Sequence, residues 1–148
     1  MEKTDNSLSL IKRYKASAAT LWKVITERDH LKQWYFDFAE DWQLKIGQTF
    51  EWSAGDTEDK QWLHRGVMLE IIPNRKLVYS WEYPGYSGTS VVTWELQPVD
   101  ESTTELHFSH VFTIPFDVTE PALKRENFDM GWNHILNISL VEYLEKNQ

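Results

Sequence analysis

From Ser7 to Tyr14 apolar and polar residues alternate, with Leu8, Leu10 or Ile11 and Tyr14 as inward candidates, the two-residue period of a strand. The pattern then changes. Ser17 supplies a capping hydroxyl, and Leu21, Trp22 and Ile25 fall on one helical face, predicting a first helix. A shorter helix follows Asp29 and runs into the ring-dense segment Trp34, Tyr35, Phe36, Asp37 and Phe38. From Glu40 period two returns and persists to Phe112. Trp42, Leu44 and Ile46 alternate up to a turn at Gly47, and Phe50 and Trp52 alternate up to a loop-like stretch at 53–59. Residues 61–72 read as a long strand stopped by Pro73 and Asn74. Leu77, Tyr79, Trp81 and Tyr83 form the next, up to Pro84 and Gly85. Val92, Trp94 and Leu96 follow, stopped by Pro98, and Leu106, Phe108, His110 and Phe112 form the last. The short turns between them predict an antiparallel meander. Beyond Pro115, Thr119, Glu120 and Pro121 read as a helix entry. Residues 128–146 hold no proline and carry the stripe Phe128, Trp132, Ile135, Leu136, Ser139, Leu140 and Tyr143, predicting one long helix with a broad apolar face.

This order gives an α+β fold. Strands presented in series need something to cover their apolar face, and only the C-terminal helix is long enough. A curved sheet wrapped around one helix encloses a cleft between them. There are no internal repeats, low-complexity tracts or linkers, and a chain of 148 residues is expected to form a single domain over 1–148.

Composition sharpens this. Eight Trp, six Tyr and seven Phe are more rings than a small core absorbs without leaving some N–H or O–H tips near water. The absence of cysteine excludes disulfides, thiolate zinc sites and a cysteine nucleophile. A net charge of −8 argues against nucleic acid as partner. No apolar run reaches the roughly 18 residues of a membrane span. The first residues lack a basic region followed by an apolar one, so a cytoplasmic location is expected. No serine elbow, phosphate loop, dinucleotide fingerprint or paired-histidine metal motif occurs. No cofactor, metal ligand or catalytic residue is therefore assigned.

Four segments carry a family resemblance: LKQWYFD at 31–37 with GQTF at 47–50; GVMLEIIP at 66–73 with LVYSW at 77–81; VTWEL at 92–96 with LHFSH at 106–110; and Gly131 with Trp132 opening a helix that ends VEYLE at 141–145. Together they resemble the activator of the ninety-kilodalton heat-shock-protein ATPase homologue-like family of the START-like (SRPBCC) superfamily. The resemblance implies a helix-grip, Bet v-like fold with a cavity that in many relatives takes an apolar or aromatic small molecule. It also implies a chaperone ATPase as an alternative partner. The eukaryotic co-chaperones carry an additional amino-terminal domain for which these 148 residues leave no room.

Tyr79, Trp81, Trp94, Phe108 and His110 share strand parity and are expected on the concave face. With Phe128 and Trp132 on the helix and Trp34 at the mouth, they form the expected ligand wall. His110 is either a satisfied core histidine or a general base for a cofactor-free cyclase or dehydratase, the latter needing Glu70, Glu82 or another acid turned inward. His107 is expected on the opposite face and His30 in solvent. Residues 34–38 form a lid or a plug. The acids Asp37, Glu40, Asp41, Glu51, Asp56, Glu58 and Asp59 make a negative, largely solvated region. Gly131 permits either close packing or open space for a ligand.

Overall fold

The computed structural model describes residues 1–57, 60–116, 120 and 123–147. Thr119 and Pro121 of the expected helix entry, and Glu58 and Asp59 of the acidic run, lie outside the described residues. The elements are β1 (Glu2–Lys3), β2 (Ser7–Tyr14), α1 (Ala18–Thr26), α2 (Arg28–Trp34), β3 (Thr49–Thr57), β4 (Lys60–Ile72), β5 (Lys76–Trp81), β6 (Thr89–Asp100) and β7 (Thr103–Ile114). A C-terminal helix follows as α3 (Arg125–His134), a π-helical turn (Ile135–Ser139) and α4 (Leu140–Lys146).

All strand pairs are antiparallel, in the order β1-β2-β7-β6-β5-β4-β3. The meander from β3 to β7 is as the alternation predicts. Its closure is not: β2 lies beside β7, and α1 and α2 carry the chain across to β3 at the other edge. Period two holds in the burial of β6 and β7, where Ser90, Val92, Trp94 and Leu96 face Leu106, Phe108, His110 and Phe112 on the inner side. Pro98 does not stop β6, which runs on to Asp100 with a register shift between Pro98 and Asp100. A β-bulge at Leu69 shifts the β4 register between Met68 and Glu70. Inward positions His64, Gly66 and Met68 thus give way to Ile71, and Glu70 pairs with Lys76 at 3.5 Å.

The segment after α2 departs from its expected form. Trp42, Leu44 and Ile46 do not form a strand. The sheet edge is already occupied by β3, Leu44 and Ile46 are exposed, and the Trp42 indole donates to the Thr26 carbonyl at 2.8 Å. Trp34 likewise donates to the Val24 carbonyl at 3.0 Å, so two indoles occupy carbonyls of the last turn of α1. The N-cap of α1 is as expected, with Ser17 Oγ accepting from the Thr20 amide.

The C-terminal helix is not uniformly α. Phe128, Trp132, Leu136, Leu140 and Leu144 are all buried and all four residues apart. At 3.6 residues per turn each such step overshoots by about 40°, so the stripe would drift about 160° from end to end. The wider turn at Ile135–Ser139 absorbs part of this drift, with the Leu140 amide reaching back to the Ile135 carbonyl. Tyr14 of β2 donates to the Leu136 carbonyl at 2.7 Å and holds that turn to the sheet.

Two glycines act oppositely. A Cβ on Gly66 would lie 2.5 Å from Phe50 Cζ and 2.6 Å from the Ser80 carbonyl oxygen, whereas one on Gly131 would meet nothing within 4 Å. Gly66→Ala is therefore expected to destabilise by about 1–3 kcal/mol through overpacking, and Gly131→Ala to stabilise by roughly 0.5–1 kcal/mol through helix propensity. Denaturant midpoints of the two variants check both signs.

Candidate functional site

A cleft of about 590 Å³ opens between α3 and the strands β3 to β5. Its floor is Trp81 of β5, with Tyr83 just beyond that strand. One wall is Trp62 and His64 of β4, with Ala54 and Gly55 of β3. The other is α3, which presents Phe128, Gly131 and Trp132. Phe36 and Ile135 close the sides. Strand parity turns Trp81 and His64 inward, and the i,i+4 spacing of Phe128 and Trp132 puts both on one helix face. Gly131, between them, leaves open space where a side chain would stand.

Of the expected wall, Trp81, Phe128 and Trp132 line this cleft. Tyr79, Trp94, Phe108, His110 and Trp34 do not: they pack as a solid layer beside it. Trp94 and Phe108 are a cross-strand pair with ring centroids 5.0 Å apart, and Trp34 meets Trp94 edge-on at 6.2 Å. The Tyr79 hydroxyl accepts from Trp94 Nε1 at 3.2 Å and shares a 3.0 Å hydrogen bond with the Tyr35 hydroxyl. Segment 34–38 is thus a plug in this structure. Trp34 and Tyr35 are anchored, Phe38 stacks on Trp42 at 4.2 Å, and only Phe36 reaches the cleft.

His110 is fully buried, and its tautomer follows from its partners. Trp132 Nε1 donates to Nδ1 at 3.0 Å, Nε2 lies 2.7 Å from Ser90 Oγ, and Ser90 Oγ donates to the Trp81 carbonyl at 2.8 Å. Nδ1 is the acceptor, so the proton sits on Nε2. A second proton on Nδ1 would face the Trp132 N–H. Burial, and then the Arg125 charge, push the imidazole down to about 3. With its lone pair occupied, His110 has no capacity left to act as a general base, and neither Glu70 nor Glu82 is among its partners. It is the satisfied core histidine, and its chain of bonds ties the helix wall of the cleft to the floor.

Residues that parity alone did not fix complete the site. Trp52 is buried and stacks on His64 at 4.8 Å, and Trp62 stands at the rim. The His64 Nδ1–H donates to the Trp62 carbonyl at 2.8 Å, and burial pushes this imidazole down to about 4. Inward parity on β4 could have found His64, but the register of that strand was hidden by the bulge. His107 faces outward as expected, 2.7 Å from Glu105. His30 is not in solvent; it is half-buried, and its Nδ1 lies 2.6 Å from the Tyr143 hydroxyl, joining α2 to α4. In the acidic region, Glu51 pairs with Arg65 at 3.0 Å, and Asp41 accepts from the Glu51 amide.

Two buried polar atoms have no hydrogen-bond partner near the cleft: Trp52 Nε1 and Trp81 Nε1. Burial pushes the Tyr83 phenol well up, and the nearby Trp81 indole N–H, outside hydrogen-bonding geometry, offsets this only in part. No Lys, Arg, Asp or Glu lines the cleft among the described residues. Among the described residues, no helix is long and apolar enough to cross a membrane and no group of acidic and histidine side chains is placed to hold a metal ion.

A family model described as Activator of Hsp90 ATPase homolog 1-like protein matches residues 15–145. No curated protein matches. Among solved structures, MLL2253 from Mesorhizobium loti is 21% identical, with a TM-score of 0.74 over 96% of this chain and 98% of that one. A Rhodobacter sphaeroides protein is 19% identical, with a TM-score of 0.77 over 98% and 95%. PFC0360w, an HSP90 activator from Plasmodium falciparum, is 18% identical, with a TM-score of 0.66 over 91% of each. The likeness is one of fold, the START-like helix grip.

His64 and His110 titrate lower in the folded chain than their ordinary value of 6.5. Below that value the unfolded chain takes up protons that the folded chain refuses, so stability falls as pH falls, by about 1.4 kcal/mol per pH unit for each proton. The carboxylates of Asp100 and Glu105, lowered by the Ser102 amide and by His107 respectively, contribute only below their ordinary values of 3.8 and 4.5. Melting between pH 6.5 and 4.5 thus reads the histidines. The double variant His64→Gln, His110→Gln is expected to flatten that slope; an unchanged slope would assign it to other groups.

Proposed function

The chain belongs to the Activator of Hsp90 ATPase homolog 1-like family, and from that premise we propose that it is a single START-like domain over 1–148 that binds a small apolar or aromatic molecule in the cleft between α3 and the sheet. The observation that carries this reading is the cleft itself, walled by Trp62, Trp81, Tyr83, Phe128 and Trp132, with Gly131 bare on its exposed helix side. The cleft volume of about 590 Å³ falls within the roughly 300–1,000 Å³ of small-molecule sites, and its walls are mostly rings with a few polar tips. Binding energy would come from burying ring surface, at about 25 cal/mol per Å² before the costs of association. The eight residues expected from sequence then divide. Trp81, Phe128 and Trp132 touch the ligand, while Trp34, Tyr79, Trp94, Phe108 and His110 hold the wall in place. The function needs no cofactor, and the absence of cysteine fits a cytoplasmic setting.

The second reading is a chaperone-ATPase activator. It is supported by the family description and by the Plasmodium falciparum structure of an HSP90 activator. Added chain would then change the turnover of an Hsp90 ATPase, and unaltered turnover would remove it. The cyclase or dehydratase reading loses its base in His110.

Naphthalene-based neutral probes are expected to quench tryptophan emission and raise the melting temperature of the wild-type chain. Gly131→Leu, which fills the space where a Cβ meets nothing, should abolish both responses with the fold intact. Equal responses in the two proteins would move the site elsewhere, and no response in either would overturn the reading.

A further inference from the structure

A buried polar group without a hydrogen-bond partner lies in the floor of the cleft. Trp81 lines it, is 5% exposed, and holds a buried indole N–H with no hydrogen-bond partner. Buried donors are nearly always paired, and an orphan at a cleft marks where a partner belongs. Trp34, Trp42, Trp94 and Trp132 each place their N–H on an acceptor, so the vacancy at Trp81 is not general to the indoles here. The ring of Trp81 is already surrounded by Trp52, His110, Phe128 and Trp132, with centroids 5.1 to 6.2 Å away. What it has left to give is its N–H edge.

The rest of the lining sets the charge of the ligand. Among the described residues no Lys, Arg, Asp or Glu faces the cleft; of its two histidines, His64 stays neutral at pH 7 because burial lowers its proton affinity, and His134 stands on the exposed side of α3. A carboxylate entering would lose its hydration with no lysine or arginine to replace it, inside a chain of net charge −8. An ammonium group has only donors, and so nothing with which to accept from the Trp81 N–H.

Resting on the binding reading above, we propose that the ligand is an uncharged aromatic molecule bearing a hydrogen-bond acceptor oxygen, a ketone or ether, which pairs with the Trp81 indole N–H.

Three probes of one shape test this: 2-acetylnaphthalene, 2-ethylnaphthalene and 2-naphthoate. The ketone is expected to bind the wild-type chain roughly three- to tenfold more tightly than the hydrocarbon, the range of one net hydrogen bond. The naphthoate should bind at least about tenfold more weakly than the ketone at pH 7. The Trp81 indole resonance in ¹H–¹⁵N spectra should move downfield with the ketone and not with the hydrocarbon. In Trp81→Phe the ketone and hydrocarbon should become equal; if that variant does not fold, the wild-type spectra decide alone. Equal affinity of ketone and hydrocarbon for the wild type, or an unmoved Trp81 resonance, overturns the acceptor assignment while the cleft still binds. Naphthoate binding as tightly as the ketone overturns the uncharged assignment. Failure of all three probes to bind overturns the binding reading itself, and this assignment with it.

Discussion

A chain of three hydrogen bonds sets how the C-terminal helix sits on the sheet. It runs from the Trp132 indole through the His110 imidazole and the Ser90 hydroxyl to the Trp81 carbonyl, and every member is buried. Each link fixes the role of the next. The indole can only donate, so Nδ1 must accept, so Nε2 must donate, so the hydroxyl must pass its proton to a backbone oxygen. Such a chain tolerates one protonation state and one spacing. The helix wall of the cleft is therefore held at a set distance from its floor, and apolar packing alone would not specify that distance so narrowly.

The surplus of rings is built on the same logic. A buried indole or phenol brings large apolar area together with one polar tip, and each tip needs a partner. Here the tips are used as ties between elements. Trp34 and Trp42 bond to carbonyls of α1, Tyr14 to the turn at Leu136, Tyr143 to His30, and Trp94 to Tyr79. The rings meet mostly edge-on or tilted, which lets many of them crowd one small core. One end of the sheet–helix space is filled in this way, by the plug at 34–38 and the Trp94–Phe108 layer. The other end stays open.

Two departures from regularity shape the C-terminal helix. Gly131 leaves a bare, exposed position on the cleft side of α3, and the π-turn after His134 re-aims the stripe so that Leu136, Leu140 and Leu144 stay on the core. A uniform α-helix with the same residues would have carried part of that stripe away from the sheet. Solved structures similar to this chain share this sheet-and-helix frame, and a frame of this kind fixes where a cavity can lie without naming what fills it.

The amino-acid sequence by itself determined the elements whose period is local. Strict alternation at 92–96 and 106–112 told which residues face inward, Ser17 marked a helix start, and the four ordered segments pointed to the helix grip. Trp81, Phe128 and Trp132 could be assigned to the cavity from parity and helical spacing alone. Tertiary structure decided what depends on distance through space. Whether Trp94, Phe108 and His110 line a hole or fill it turned on how far the plug at 34–38 reaches, and a strand pattern carries no such length. The bulge at Leu69 hid the facing of β4, and with it His64 and Trp62. Closure of β2 on β7 pairs residues about a hundred positions apart, such as Leu8 with His110. The tautomer of His110 depended on three partners from three separate elements, because a proton's place is set by the atoms around it and not by its neighbours along the chain.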